Sequence, residues 1–256
     1  MSADEIKEET TAETPAASSS EAKEASAKRP SKKPIVIGVI VVVLIAAVAG
    51  FWVWHEQPSF CNAICHTPMD AINEQYAQEP GVAGFDKYKN EVANTNGMAA
   101  VSHQAGDLNV TCLECHVPQI SEQIGEGIMW VGGDYDVVVN KDGQLLPTEK
   151  TLEDLVVARG LQPEQFCLSS GCHANEDGSA MTIEDLKEAT SGLAHNPHDF
   201  QHGDVACSDC HKAHRASINT CSECHANAEI PEGWLTYNEA QDLDIPVAVE
   251  TEEAAA

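Results

Sequence analysis

Ten cysteines fall into five pairs, and a histidine follows the second cysteine of every pair. Three pairs have a two-residue spacer: "CLECH" (Cys112, Cys115, His116), "CSDCH" (Cys207, Cys210, His211) and "CSECH" (Cys221, Cys224, His225). Two are stretched: "CNAICH" (Cys61, Cys65, His66) and "CLSSGCH" (Cys167, Cys172, His173). Two thiols this close can add to the two vinyl groups of one porphyrin, and the adjoining histidine then lies under the iron as an axial ligand. Zinc sites draw cysteines in fours and do not require a histidine after each second one. Five disulfides would consume the thiols but leave the five Cys-His adjacencies unexplained. Covalent haem leaves no cysteine over, and a longer spacer can bulge while both sulfurs stay near the vinyls. The expected cofactors are therefore five covalently bound haem c, with His66, His116, His173, His211 and His225 as iron ligands.

Each iron has a second axial face. Six histidines remain, His55, His103, His195, His198, His202 and His214. Five irons need five further ligands, so the supply points to mainly bis-histidine ligation and to closed, low-potential electron-transfer centres. His214, in "CHKAH", and His103, nine residues before Cys112, are candidates. His195, His198 and His202 crowd into eight residues ahead of Cys207, and two or three of them are expected to bind iron. Met69, three residues after His66, is a further candidate for the first iron. His55 is either a ligand or an interfacial polar residue.

Residues 35–54, "IVIGVIVVVLIAAVAGFWVW", carry no charge. As a helix they span about 30 Å, the thickness of a bilayer's hydrocarbon core. Lys28, Arg29, Lys32 and Lys33 precede the run, which by the positive-inside rule leaves the N-terminus cytoplasmic and the body extracytoplasmic, on the periplasmic side. Phe51, Trp52 and Trp54 suit an interfacial aromatic belt. A cleavable leader ending near Ala47-Val48-Ala49 is the alternative, but the long preceding tail and the aromatic flank favour a retained anchor. Residues 1–34, rich in Glu, Ala, Ser and Thr, read as a disordered tail, and the acidic end, 239–256, as a second one. The body is then 55–238. With aromatics at only 5%, it has a thin apolar inventory for a protein-only core. The expected fold is a mostly irregular and α-helical chain wrapped around five haems, with one N-terminal transmembrane helix. A net charge of -27 argues against nucleic acid as a partner, since that needs a basic face.

From the apolar run to about residue 120 the chain resembles the NapC/NirT/NrfH membrane-anchored quinol dehydrogenases. The shared features are a single N-terminal span, a Cys-His motif directly after it with a methionine close behind, and the segment "HQAGDLNVTCLECHVP" from His103. The first spacer is one residue longer than that family's, and Met69 stands one position later than its methionine. Asp86, Lys87 and Lys89 lie nearby, but no quinol-binding side chain carries over. From about 190 to 234, "NPHDFQHGDVACSDCHKAHRASINTCSECHANAEIPEGW" is similar to the tetrahaem domain of flavocytochrome c fumarate reductases, with a shifted second histidine in "NPHDFQH". No flavin domain follows. The two resemblances imply a module that takes electrons from membrane quinol and passes them to an extracytoplasmic reductase, a separate flavoprotein. A protein-to-protein relay that never touches quinol is the alternative; a multihaem oxyanion reductase is disfavoured by the histidine surplus and by the absence of a CxxCK motif.

Between the two halves, "TLEDLVVARG" predicts a short helix capped by Thr151 and stopped at Gly160. "TIEDLKEAT" predicts another from Thr182. "MWVGGDYDVVVNKDGQLL" predicts a hairpin across "NKDG".

Overall fold

The computed structural model describes residues 32–250 except 65, 107, 118, 158 and 204. The N-terminal tail up to residue 31, Cys65 and the side chain of His66 lie outside the described residues. The chain divides into two units between Ala46 and Ala47.

Helix α1, Lys33–His55, covers the apolar run and adds two residues before it and one after. Pro34 is tolerated because the first turn has no intrahelical N–H partner to lose. Every residue of α1 before His55 is exposed, and the helix is long and apolar enough to cross a membrane.

The second unit is built from short pieces. Helices α2 (Pro58–Ile64) and α3 (His66–Tyr76) are followed by strands β1 (Gly84–Phe85) and β2 (Glu91–Val92), then a 3-10 turn at Thr95–Gly97. Next come α4 (Ala99–Gln104), α5 (Cys112–Cys115), α6 (Ile120–Gly132), β3 (Asp136–Val139) and β4 (Leu145–Pro147). Helices α7 (Leu152–Val157), α8 (Pro163–Cys167), α9 (Ile183–Ala189) and α10 (Cys207–Cys210) lead to β5 (Ile218–Asn219), β6 (Leu235–Thr236), α11 (Tyr237–Gln241) and β7 (Val249–Glu250). β1 and β2 pair antiparallel, β5 and β6 pair parallel, and β3 lies between β4 and β7.

Local chemistry explains the boundaries. Thr182 Oγ1 accepts from the Asp185 amide and Thr151 Oγ1 from that of Asp154, both at 3.2 Å, so α9 and α7 start where their caps predict. Gly160, at φ 65°, ends the α7 turn in the left-handed region. The hairpin forms across Asn140–Gly143, with Val138 opposite Leu146. Residues 129–132, however, belong to α6 and not to the hairpin. Ile120, Ile124 and Ile128 recur at four-residue spacing, which carries the helix on until Gly133 turns left-handed at φ 69°. Residues 239–250, expected to belong to a structureless tail, contain the end of α11 and the edge strand β7, whose Val249 pairs with Val137. β3 needs a hydrogen-bonding partner on its second edge, and this segment supplies one.

Among the described residues, buried apolar side chains form two small clusters. Ala71, Tyr88, Val138 and Leu146 make one; Val92, Met98, Val101 and Ala216 make the other. Backbone bonds stitch sequence-distant segments beside them: the Lys87, Ala99, Ala100 and Ser217 amides donate to the carbonyls of His214, Lys212, Ala213 and Gly97 at 2.8–3.0 Å. The segment 212–217 is thereby woven into 86–100.

Candidate haem sites

Each described Cys-His motif is closed by the same backbone bond. The amide of the histidine donates to the carbonyl of the first cysteine: His116 to Cys112 (2.7 Å), His211 to Cys207 (2.9 Å) and His225 to Cys221 (2.8 Å). In "CLSSGCH" the two extra residues bulge, yet His173 still donates to Cys167 at 3.2 Å. The stretched spacer thus preserves the closure of the regular ones. In two regular motifs an acidic side chain caps the short helix from within: the Glu114 carboxylate accepts from the Thr111 amide (2.5 Å), and Asp209 from that of Ala206 (2.9 Å). In "CLECH" and "CSDCH" the acidic residue before the second cysteine is therefore a cap, a role written in the sequence three positions after the residue it caps.

The histidines come together across the chain. Ring centroids of His103 and His173 are 6.1 Å apart, those of His116 and His214 6.2 Å, those of His198 and His211 6.3 Å, and those of His202 and His225 6.1 Å. A first-row metal held by two opposed imidazoles at about 2 Å from each nitrogen places ring centroids a little over 6 Å apart. All four pairs have that spacing, and each joins one motif histidine to one outside a motif. His195 lies 4.3 Å from His225, too close for an iron between them.

Hydrogen bonds decide which ring nitrogen is free. His214 Nδ1 lies 2.8 Å from Gln75 Oε1, His103 Nδ1 lies 2.7 Å from the Ala99 carbonyl, and His198 Nδ1 lies 3.2 Å from Thr190 Oγ1. With Nδ1 engaged, Nε2 is left for a metal, the usual outer support of a metal-binding imidazole. His195 is the reverse: its Nε2 meets Asn227 Oδ1 at 3.2 Å. Burial favours the neutral, ligating form of His214, His116, His198 and His211. It pushes His214 down to about 3, helped by the nearby His116 and Lys87 charges, and it also lowers His116, His198 and His211.

The cysteine pairs form a continuous series in chain order. Burial, then the charge of Cys61, raises Cys112 to about 11. Burial followed by Cys172 raises Cys115; burial followed by Cys207 and Cys115 raises Cys167 to about 11. Burial followed by Cys210 raises Cys221. Every step therefore links one motif to its successor.

The remaining candidates are placed as follows. Met69 is half-buried on α3, its carbonyl accepting from Asn73 Nδ2 at 2.9 Å. His55 Nε2 lies 3.3 Å from Gln123 Nε2, and its ring packs on Phe60 at 4.8 Å. Asp86 accepts from the Tyr88 and Asn90 amides and from Asn90 Nδ2. Lys87 reaches Glu149 at 3.7 Å, and Lys89 reaches Glu74 at 2.6 Å. These three side chains are committed to structure.

Residues 156–226 match the cytochrome c3 family, the stretch holding the last three motifs. No solved structure matches the chain. The chain is 55% identical over 210 residues to the cytochrome c-type protein Cgr1 of Eggerthella lenta, covering 82% of this chain and 90% of that one. With Cys-His motifs and paired imidazoles in place, the chain belongs to the multihaem c-type cytochromes, in the family of Cgr1.

Proposed function

We propose that this cytochrome is a membrane-anchored pentahaem conduit that carries electrons from the membrane quinol pool to an extracytoplasmic reductase, a separate flavoprotein. The observation that carries the reading is the set of four imidazole pairs at 6.1–6.3 Å, one for each motif whose histidine side chain is described. In this reading His214 would stand opposite His116, His103 opposite His173, His198 opposite His211 and His202 opposite His225, as their spacings support. Met69 is the candidate opposite His66. The ten cysteines hold the porphyrins. When bound, haem c supplies reversible one-electron exchange at iron. At the four sites with paired imidazoles, two histidines would hold each iron, which would leave no open position for an oxyanion and favours transfer over substrate reduction.

The quinol end of the reading rests on placement. Cys61 follows Trp54, near the end of the apolar helix, by only seven positions. The chain-order series of cysteine pairs supports a path that steps from the first motif to the fifth. Intact-mass measurement of the holoprotein reads the number of attached haems; fewer than five would remove the pentahaem assignment. Full-length holoprotein in liposomes, mixed anaerobically with a reduced quinol, is expected to show haem reduction in the visible spectrum. Absence of reduction, with dithionite still reducing the same sample, would overturn direct quinol oxidation and leave a relay between proteins.

A further inference from the structure

Outside α1, helix α6 carries five exposed large apolar side chains: Ile120, Ile124, Ile128, Met129 and Val131. At about 100° per residue, four of them, Ile120, Ile124, Ile128 and Val131, fall in one stripe about 80° wide. Val131 is 79% and Ile120 75% exposed. Glu122 and Glu126 occupy the opposite side. That polar side is fastened to the body by Lys150, which pairs with Glu126 at 2.7 Å. The ion pair also neutralises one of the two acids. The pair lies on the side of the helix opposite the uncharged stripe.

Its occupant is indicated by what α6 touches. Gln123 meets His55, the last residue of α1, and the same helix end displays Phe51 and Trp52, 53% and 61% exposed. We propose that α6 lies in the surface of the bilayer that α1 enters, with Ile120, Ile124, Ile128 and Val131 at the headgroup–acyl boundary and its acids in water. This rests on reading α1 as a membrane span. An amphipathic helix with a polar back and a charge-free apolar face takes that position, binding through its buried apolar area. Gln123, on the flank of the stripe, ties α6 to the exposed aromatic end of α1, which is why a bilayer is favoured over a second copy or a soluble partner.

The test uses full-length holoprotein in phospholipid nanodiscs, with the photo-crosslinker p-benzoylphenylalanine replacing one residue at a time. Replacing Ile124 or Ile128 is expected to give a mass shift of one phospholipid on illumination. Replacing Met129, about 140° round the helix from the centre of the stripe, is expected to give none. Replacing Val42, in the middle of α1, tests the span itself. Lipid adducts at Val42 with none at 124 and 128 would overturn the α6 proposal alone. Dimer adducts, or adducts to another part of the same chain, at 124 and 128 would overturn it too. No lipid adduct at Val42 would overturn the span reading, and the α6 proposal with it. An unchanged visible spectrum in each variant verifies that the holoprotein has folded.

Discussion

At the residue scale, the histidines are sorted by which nitrogen is already occupied. His103, His198 and His214 engage Nδ1, whereas His195 engages Nε2. Replacing His103 with alanine is therefore expected to remove the distal ligand from one haem, and His195→Ala to leave all haems low-spin. The ring planes of His103 and His173 are 70° apart, against 27°, 10° and 25° for the other pairs. Near-perpendicular imidazoles leave the iron's two π-type d orbitals nearly equal in energy, so this haem should give the most anisotropic low-spin EPR signal. His103→Ala should abolish that signal, and its survival would refute the assignment. A second residue-scale effect concerns Glu149. Burial alone would raise its carboxyl, but Lys87 and Arg215 outweigh burial and hold it below the ordinary value of 4.5. A lowered folded-state value stabilises the protein above about pH 4.5 and is lost as pH falls through it. Glu149→Gln should flatten the dependence of melting temperature on pH in that acidic range, as followed by calorimetry.

At the element scale, what the sequence announces depends on where the forces act. Helices α7 and α9 were legible because Thr151 and Thr182 cap them locally. Helix α6 was not, because its apolar residues ran into "MWVGG" and resembled the start of a strand. β5 and β6 are two residues each and carry no period to read. They exist because Leu235 donates to Ser217 while Ser217 donates to Gly97. Close approach is the condition: a Cβ on Gly97 would collide with the carbonyl of Gly233, itself at φ 80°. Gly97→Ala should cost about 1–3 kcal/mol by forcing backbone apart, measurable by denaturant unfolding of the holoprotein. Gly125 in α6, with open space around its Cβ position, should tolerate alanine and serve as the control.

At the scale of the whole molecule, two small apolar clusters must support some 200 residues, far less than a protein-only core of that size provides. Cofactor attachment should therefore be coupled to folding, as metal binding is in small metal-dependent domains. Cys112→Ala/Cys115→Ala is expected to lose one haem by intact mass and to increase protease sensitivity. The loss should extend beyond its own motif, since His214 joins this site to residues 75 and 87 through Gln75 and the Lys87 amide. A variant lacking one haem but as protease-resistant as the parent would show that the clusters suffice.

By itself, the sequence determined the attachment chemistry: five pairs of thiols with an adjoining histidine, a charge-free run of bilayer length, and locally capped helices. These rest on covalent reach, helical rise and contacts within a few residues, so they are written in consecutive positions. The partners of the motif histidines, His103 to His173 and His214 to His116, were decided only by the tertiary structure, because they join positions 70 and 98 residues apart. Spacing could count the spare imidazoles but not distribute them. That distribution follows from which Nδ1 finds Gln75, Thr190 or the Ala99 carbonyl once the chain has closed on itself.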